Sequence, residues 1–174
     1  DHVRAIFCVR GGYGCSRIVD HLRFDRLTKS PKWLVGFSDI TVLHHALLQH
    51  GVQSLHGTMP LLFTEPGHEA AGVSVRDALF GESRPIKQAV HSLNRPGTVT
   101  GKLVGGNLAM LCHQLGSATE VDLKGAILFL EDVGEAYYQL DRMLWQLKRA
   151  SKFKELGGLL VGGFTKMEDQ EPAF

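Results

Sequence analysis

The amino-acid sequence predicts an α/β fold built on a doubly wound, mostly parallel sheet. Two observations lead to this prediction: short apolar runs alternate with amphipathic helical patterns, and a glycine-rich loop joins the first apolar run to the first helical pattern. A strand, helix, strand unit normally forms a right-handed crossover, so its two strands pair in parallel. With 174 residues and 44% hydrophobic content, the chain is long enough to bury the core of one ordinary domain or two small ones.

The first predicted elements are a strand and a helix joined by the glycine-rich loop. The apolar run at residues 3–9 predicts a buried strand with no lead-in, so the chain is expected to begin inside a domain. After the loop, Ile18, Val19 and Leu22 stand at helical spacing and predict one helix that ends near residues 24–27.

A second strand and helix follow in the same half of the chain. Residues 33–37 predict the strand, and the helix begins at Asp39 and is closed by Gly51, because glycine readily adopts the positive φ found just after many helices. A third, short strand is expected at residues 53–55 and a weaker helix at residues 69–80. This alternation is the pattern of a parallel sheet with crossover connections.

A change of composition separates the two halves. Between residues 82 and 101, Pro85, Pro96 and Gly97 stand among polar residues, which is typical of a linker. We therefore expect three parts: an α/β domain at residues 1–84 that is incomplete at its N terminus, a linker at 85–100, and a second domain at 101–174 that is incomplete at its C terminus.

The second half repeats the alternation of strands and helices. We expect a helix that starts at Gly105-Gly106-Asn107 and is closed by Gly116, an apolar strand at 126–130 that ends on Glu131 and Asp132, a long helix at 136–150, and a strand at 158–164. No closing element is predicted after residue 165, so the chain is expected to be cut at both ends.

Charge and composition exclude several classes of protein. The formal net charge is +1, with 19 basic and 18 acidic residues and no basic run, so nucleic acid is not an expected partner. The apolar runs are too short to cross a bilayer, so we expect no membrane association. The sparse cysteines Cys8, Cys15 and Cys112 lack metal-ligand spacing and suit a reducing compartment, which indicates a cytoplasmic protein.

Ser38 lies between the second predicted strand and the helix that follows it. A serine at a tight strand-to-helix corner projects its hydroxyl beside free backbone N–H groups, as a nucleophile requires. Gly36 relieves crowding there, but Ile40 stands where the G-x-S-x-G pattern has its second glycine. The same residues also suit an ordinary helix start, with Ser38 as the N-cap and Asp39 near the positive end of the helix dipole. The local pattern alone favours capping and leaves the nucleophile as the alternative.

The loop Arg10-Gly11-Gly12-Tyr13-Gly14 opens a helix, where consecutive backbone amides often bind an anion. One interpretation is a dinucleotide site with Asp39 as a ribose ligand, although Arg17 replaces the third glycine of G-x-G-x-x-G. A second interpretation gives the Gly12 N–H to an oxyanion formed at Ser38, because adjacent parallel strands end at one sheet edge. A plain tight turn is the third.

Glu131 ends an apolar strand, where a buried carboxylate needs a partner. With Asp132 it either supplies negative charge to the next helix or orients a catalytic histidine. His56, beside Gly57, is the best candidate to line the site, and a pocket or structural role is favoured over that of a base. The nine histidines are His2, His21, His44, His45, His50, His56, His68, His91 and His113.

Five motifs in register resemble the LD-carboxypeptidase family, also called muramoyltetrapeptide carboxypeptidases, which includes the microcin-immunity peptidases. Their order and separations fit the family over nearly the whole chain. The motifs are Arg10-Gly11-Gly12-Tyr13-Gly14 with Arg17, Gly36-Phe37-Ser38-Asp39, His56-Gly57, Gly105-Gly106-Asn107-Leu108, and Leu130-Glu131-Asp132 with Arg142-Met143-Leu144.

The resemblance implies an α/β nucleophile domain joined to a strand-rich C-terminal domain, with the active site between them. It implies that Ser38 is the nucleophile, that Glu131 is the acid of a Ser-His-Glu triad, and that the amides of Gly12 and Asp39 form the oxyanion hole. The triad histidine is expected outside this chain, downstream of the segment that matches residues 158–164. The implied mechanism needs no metal or other cofactor.

The resemblance also implies a substrate, which is the murein tetrapeptide that loses its terminal D-alanine in cell-wall recycling. Arg10, Tyr13, His56 and Asn107 are the candidate substrate contacts, and Arg10 or Arg17 is suited to a substrate carboxylate. A homodimer is expected. The alternatives are an immunity-type peptidase that cleaves aminoacyl-nucleotide antibiotics, a non-catalytic nucleotide-binding module, and an inactive structural subunit.

Overall fold

The computed structural model describes residues 2–82 and 85–169, which form two three-stranded parallel sheets with helices packed against them. The α/β fold class is thereby confirmed. Within each sheet the strands lie side by side in chain order. The first sheet contains β1 (Ala5–Phe7), β2 (Trp33–Gly36) and β3 (Leu55–His56), and the second contains β4 (Leu103–Asn107), β5 (Ile127–Val133) and β6 (Gly158–Thr165).

Six α-helices occur in the described residues: α1 (Cys15–Ile18), α2 (Asp25–Lys29), α3 (Thr41–Gln49), α4 (Glu69–Leu79), α5 (Leu108–His113) and α6 (Tyr137–Arg149). The prediction of one helix after the first loop is wrong. The chain forms α1, a 3-10 turn at Val19–His21 and then α2, because Leu22 is extended, with φ −79° and ψ 144°. Asp25 then lies in the first turn of α2, where a carboxylate is favourable.

The prediction of a buried first strand is also wrong. Among the described residues, β1 is the edge strand of its sheet and has β2 as its single neighbour. Ile6 is 41% exposed, Phe7 is 37% exposed and Val9 is 64% exposed. Apolarity alone does not distinguish a central strand from an edge strand whose faces are partly uncovered.

The sequence pattern does not reveal β4, because it predicts a helix start at Gly105-Gly106-Asn107, the last three residues of this strand. Glycine is depleted in strands, so Gly105 and Gly106 argue against a strand in the sequence pattern. In the structure both adopt a positive φ that other residues rarely adopt, +132° and +135°. A Cβ on Gly105 would lie 1.9 Å from the carbonyl oxygen of Phe129, so the parallel pairing of β4 with β5 requires glycine here.

Two apolar clusters form the core. One contains Val42 and Leu47 of α3, packed with residues of the first sheet and its loops. The other contains Leu108, Leu128 and Leu147, each 0% exposed, so α5 and α6 pack on β5 as their helical spacing predicted. Fully burying a leucine side chain contributes about 1.5–3 kcal/mol, which makes these leucines principal determinants of the second cluster.

The two sheets meet where the start of α3 contacts the end of β4. The backbone N–H of Asn107 donates to Thr41 Oγ1 at 3.2 Å, and His45 Nε2 lies 3.2 Å from the carbonyl oxygen of Gly105. A Cβ on Gly106 would stand 2.8 Å from Thr41 Oγ1, so the absence of a side chain permits this approach. The carboxyl end of β4 therefore lies beside the helix that follows Ser38.

Residues 85–102 contain no helix or strand, and their side chains are exposed. None of the helices within residues 2–82 and 85–169 combines the length and the apolar character that crossing a bilayer requires.

Candidate active site

Ser38 occupies a strained corner between β2 and α3. Phe37 is extended, with φ −149° and ψ −172°, and Ser38 then adopts φ +63° at the start of the 3-10 turn Ser38–Ile40. Positive φ is uncommon outside glycine, and such strain concentrates at functional sites. Phe37 holds the N-cap position and no side chain caps this turn, so the capping role favoured by the local pattern is not the one that Ser38 adopts.

His44 of α3 fixes the backbone just before this corner. Its Nε2 lies 2.9 Å from the carbonyl oxygen of Gly36, which can only accept a hydrogen bond, so Nε2 carries the proton. Nδ1 then accepts from the hydroxyl of Ser54 at 2.8 Å. Burial lowers the pKa of His44, which agrees with a neutral ring. The N–H of Gly57 donates to the same Gly36 oxygen at 3.1 Å, so α3 and β3 both hold the strand end that presents Ser38.

The glycine-rich loop between β1 and α1 lies against Ser38. A Cβ on Gly11 would stand 3.0 Å from Ser38 Cβ and 3.1 Å from Ser38 Oγ, so the loop backbone approaches the hydroxyl closely. The next glycine, Gly12, has φ +124°. A glycine pair at this point thus lets the loop backbone lie against the hydroxyl, and an oxyanion site requires such a close backbone.

Asp39 is 6% exposed and connects the corner to the same loop. Its Oδ2 accepts the backbone N–H of Cys15 at 3.0 Å, across 24 residues of sequence. Burial, followed by the nearby Asp39 carboxylate, raises the pKa of the Cys15 thiol to about 12. Cys15 is therefore protonated at neutral pH and has no nucleophilic thiolate.

Glu131 lies near the carboxyl end of β5, in register with Asn107 of β4. Its side chain is 14% exposed, and Oε1 is buried without a hydrogen-bond partner in the described structure. Burial, with a smaller contribution from the charge of Asp132, raises the pKa of Glu131 to about 7. Such a carboxyl is held close to the midpoint of its titration at neutral pH, which is a frequent property of functional acids.

His56 connects the serine corner to the acid. Its Nε2 lies 3.9 Å from Glu131 Oε1, and its ring centroid lies 6.1 Å from that of Phe37 and 5.2 Å from that of Phe129. Burial, followed by the neighbouring rings of His44 and His45, lowers the pKa of His56 to about 4. His56 is therefore neutral at pH 7, and its approach to Glu131 is a close polar contact and not an ion pair.

Asn107 has both of its side-chain groups engaged within the fold. Its Oδ1 caps α5 by accepting the N–H of Met110 at 3.0 Å, and its Nδ2 donates to Asp132 Oδ1 at 2.7 Å. Asp132 also accepts the N–H groups of Ala109 and Val133, at 3.0 and 2.8 Å. These contacts favour a structural role for Asn107 over substrate contact. Sequence reasoning misses Asp132 as a residue that orders this region, because two of its partners, Asn107 and Ala109, lie 25 and 23 residues away in the chain.

The candidate substrate residues of the loop are exposed. Tyr13 is 84% exposed, with the guanidinium of Arg17 lying 5.4 Å from its ring centroid. An Arg10 guanidinium nitrogen lies 3.9 Å from the point where a Cβ of Gly12 would stand. Arg10 and Tyr13 thus lie on the accessible side of the loop, beside the candidate oxyanion amide. Within residues 2–82 and 85–169, no group of three His, Cys, Asp or Glu side chains is arranged to hold a metal ion.

Comparison with known proteins gives two family matches. A model described as the LD-carboxypeptidase N-terminal domain matches residues 1–57, and one described as the LD-carboxypeptidase C-terminal domain matches residues 100–173.

Individual relatives agree with these matches. The chain is 40% identical over 177 residues to a probable murein peptide carboxypeptidase of Bacillus subtilis, and 37% identical over 182 residues to the murein tetrapeptide carboxypeptidase of Pseudomonas aeruginosa. The alignments cover 94% and 98% of this chain but only 53% and 59% of the relatives. The chain therefore spans little more than half the length of these curated relatives.

Solved structures match the fold. The crystal structure of muramoyltetrapeptide carboxypeptidase from Oxalobacter formigenes superposes with a TM-score of 0.80 at 34% identity, covering 95% of this chain and 58% of that one. The microcin C7 self-immunity protein MccF of Escherichia coli is 24% identical over 92% of this chain and 56% of its own length.

Proposed function

The chain belongs to the LD-carboxypeptidase family, and from this premise we propose that it provides the nucleophile and the acid of a serine carboxypeptidase that removes the terminal D-alanine from murein tetrapeptide. The observation that carries the proposal is Ser38 at φ +63°, with a hydroxyl that caps no helix and a glycine loop against it. The names of the murein carboxypeptidase relatives support the substrate.

The proposed reaction is serine acyl transfer. Ser38 attacks the carbonyl of the amide that joins an L-configured centre to the terminal D-alanine, and the amides of Gly12 and Asp39 stabilise the oxyanion. A histidine accepts the serine proton and passes it to the departing D-alanine amine. Water then hydrolyses the acyl-enzyme and releases the tripeptide. The cytoplasm, during cell-wall recycling, is the proposed setting.

Glu131 is the proposed partner of that histidine. Its buried Oε1 lacks a hydrogen-bond donor in the described structure, and an imidazole N–H would supply one. His56 is a weak candidate for the base because burial lowers its pKa to about 4. Following the family resemblance, we assign the base to a histidine outside these 174 residues.

Arg10 is the proposed contact for the terminal carboxylate of the substrate. Its exposed guanidinium lies near Gly12, so a carboxylate bound there would place the adjacent amide close to Ser38. Tyr13, exposed on the same loop, is the proposed second contact.

The test is turnover of murein tetrapeptide by a form of the protein that spans the full length of its curated relatives. Ser38→Ala and Glu131→Gln should each lower kcat by at least about 1,000-fold. Ser74→Ala, at an exposed serine of α4, is the matched control and should leave kcat unchanged. A tetrapeptide ending in L-alanine should not be cleaved. Retention of most of the turnover by Ser38→Ala would overturn the proposal.

An immunity-type peptidase is the second candidate, supported by the 24% identity to MccF. It predicts hydrolysis of an aminoacyl sulfamoyl nucleotide by the wild type and no cleavage of the tetrapeptide. Stabilisation by nucleotide alone, without hydrolysis of either substrate, would indicate a binding module.

A further inference from the structure

The carboxylate of Asp39 has no role in the proposed reaction, although its backbone amide does. This side chain is 6% exposed and follows the nucleophile directly. A buried carboxylate is costly unless it accepts hydrogen bonds, and here the donor is the backbone N–H of Cys15 at 3.0 Å. Because the carboxylate is turned into the fold, it is not placed to bind the ribose of a nucleotide, as one interpretation of the sequence required.

The loop that Asp39 reaches has few other attachments. Before the loop, the N–H of Cys8 donates to the carbonyl oxygen of Val35 at 3.0 Å, and the carbonyl oxygen of Val9 accepts the N–H of Leu61 at 3.1 Å. In the described structure no backbone hydrogen bond fixes residues 10–13. After the loop, Cys15 is held by Asp39. One end of the loop is thus fixed by main-chain pairing, and the other by the Asp39 carboxylate together with the packing of Cys15 against the first apolar cluster.

Residues 10–13 include two glycines that lie against or beside the serine corner. The position of a Gly11 Cβ would be 3.1 Å from Ser38 Oγ, and Gly12 carries one of the two proposed oxyanion amides. The other amide belongs to Asp39 itself. Residue 39 therefore supplies one donor through its backbone and, through its side chain, holds the segment that carries the other.

We propose that Asp39 is a positioning residue whose carboxylate, by accepting the Cys15 N–H, holds the Gly11-Gly12 loop over Ser38 so that both oxyanion donors converge. The inference rests on the proposed function for its catalytic consequence, but the anchor itself is a property of the fold. The hydrogen bond, and not the negative charge of Asp39, holds the loop in this proposal. The amide oxygen of an asparagine at position 39 should therefore hold it equally well, because it accepts the same N–H.

The experiment compares variants that change this one hydrogen bond from both sides. Asp39→Asn keeps an acceptor and Asp39→Ala removes it. Cys15→Pro removes the N–H donor together with the thiol, at the first position of α1, where proline is well tolerated, and Cys15→Ala, which loses the thiol but keeps the N–H, is its matched control. The measurements are kcat and KM for murein tetrapeptide, and hydrogen exchange at the Cys15 and Gly12 amides, with circular dichroism to confirm folding.

We expect Asp39→Ala and Cys15→Pro to lower kcat by about 100-fold with KM within about threefold, the size of effect seen when one oxyanion donor is displaced. Asp39→Asn and Cys15→Ala should stay within about fivefold of the wild type, and exchange of the backbone amide of residue 15 should accelerate only in Asp39→Ala. Unchanged exchange in Asp39→Ala, or an Asp39→Asn enzyme as impaired as Asp39→Ala, would overturn the inference. If amide exchange at Cys15 responds to the variants as expected but the wild type does not cleave the peptide, the proposed function is refuted. The role of the Asp39 carboxylate in holding the loop is then still supported.

Discussion

Replacing Glu131 by glutamine should change how the stability of the protein depends on pH. Glutamine keeps the shape of the side chain but cannot ionise. In the folded protein burial raises the pKa of Glu131 to about 7, against an ordinary value of 4.5. Between these two pH values the folded state holds a proton that the unfolded state has released. The carboxyl of Glu131 therefore makes the wild type progressively less stable as the pH rises from 4.5 to 7.

The magnitude follows from the separation of the two pKa values. Each unit by which the pKa of Glu131 differs between the folded and unfolded states changes the free energy of unfolding by about 1.4 kcal/mol. The whole difference therefore amounts to at most about 3 kcal/mol. The side chain keeps 14% of its surface exposed, and water at the remaining oxygen reduces the effect. We expect the free energy of unfolding of Glu131→Gln, relative to wild type, to increase by about 2 kcal/mol between pH 4.5 and pH 8.

The comparison with a variant is needed because buried histidines act in the opposite direction. Burial lowers the pKa of His45 and His56 to about 4, so the unfolded state binds more protons between pH 4 and 6.5 and stability rises with pH there. Burial also lowers the pKa of His44. All three histidines are present in wild type and variant, so their contributions cancel in the difference.

The assay is urea denaturation of both proteins at pH 4.5, 6 and 8, followed by circular dichroism. The two free energies of unfolding are compared where both proteins have the same m value, which is the slope of the free energy of unfolding against urea concentration. If the difference between the variant and the wild type were independent of pH, Glu131 would ionise normally and the assignment of a buried, functional acid would fail.

Substitutions at Gly11 and Asn107 test the geometry around the site. Gly11→Ala should lower turnover about 10- to 100-fold, because its Cβ would stand 3.0 Å from Ser38 Cβ. The control is Gly72→Ala in α4, where nothing lies within 4 Å of the added Cβ. It should leave turnover unchanged and raise the free energy of unfolding by about 0.5–1 kcal/mol. Asn107→Ala should lower the free energy of unfolding by about 1–2 kcal/mol through loss of the cap of α5. Asn107→Asp should lower it further, because a second carboxylate would face Asp132. Urea denaturation measures both effects, and an Asn107→Asp protein as stable as wild type would contradict the second expectation.

The fold class could be predicted because it depends on local pattern. Alternating strand and helix signals predicted β2, α3, β5 and α6 within a few residues, since each of these elements buries a regular apolar face. β4 could not be found in this way. Its glycines oppose strand formation locally, and only the backbone of β5 explains why they are needed.

The sequence indicated which residues form the candidate site, but not how those residues interact. The motifs selected Ser38, Glu131 and Gly12, but the positive φ of Ser38 follows from how β2, α3 and the loop pack together. The partner of Asp39 lies 24 residues away, and the partner of Asn107 lies 25 residues away, so no local window contains either contact. Burial decides the raised pKa of Glu131, and burial is set by the tertiary structure.

Mapping the covalent intermediate shows whether Ser38 is the nucleophile. The protein, in the form used for turnover, is mixed with murein tetrapeptide, quenched in acid after a short time, digested and examined by mass spectrometry. We expect a tripeptide acyl group on the peptide that contains Ser38, and no such adduct in Ser38→Ala. An acyl group on another residue, or turnover of the substrate by the Ser38→Ala protein, would contradict this expectation.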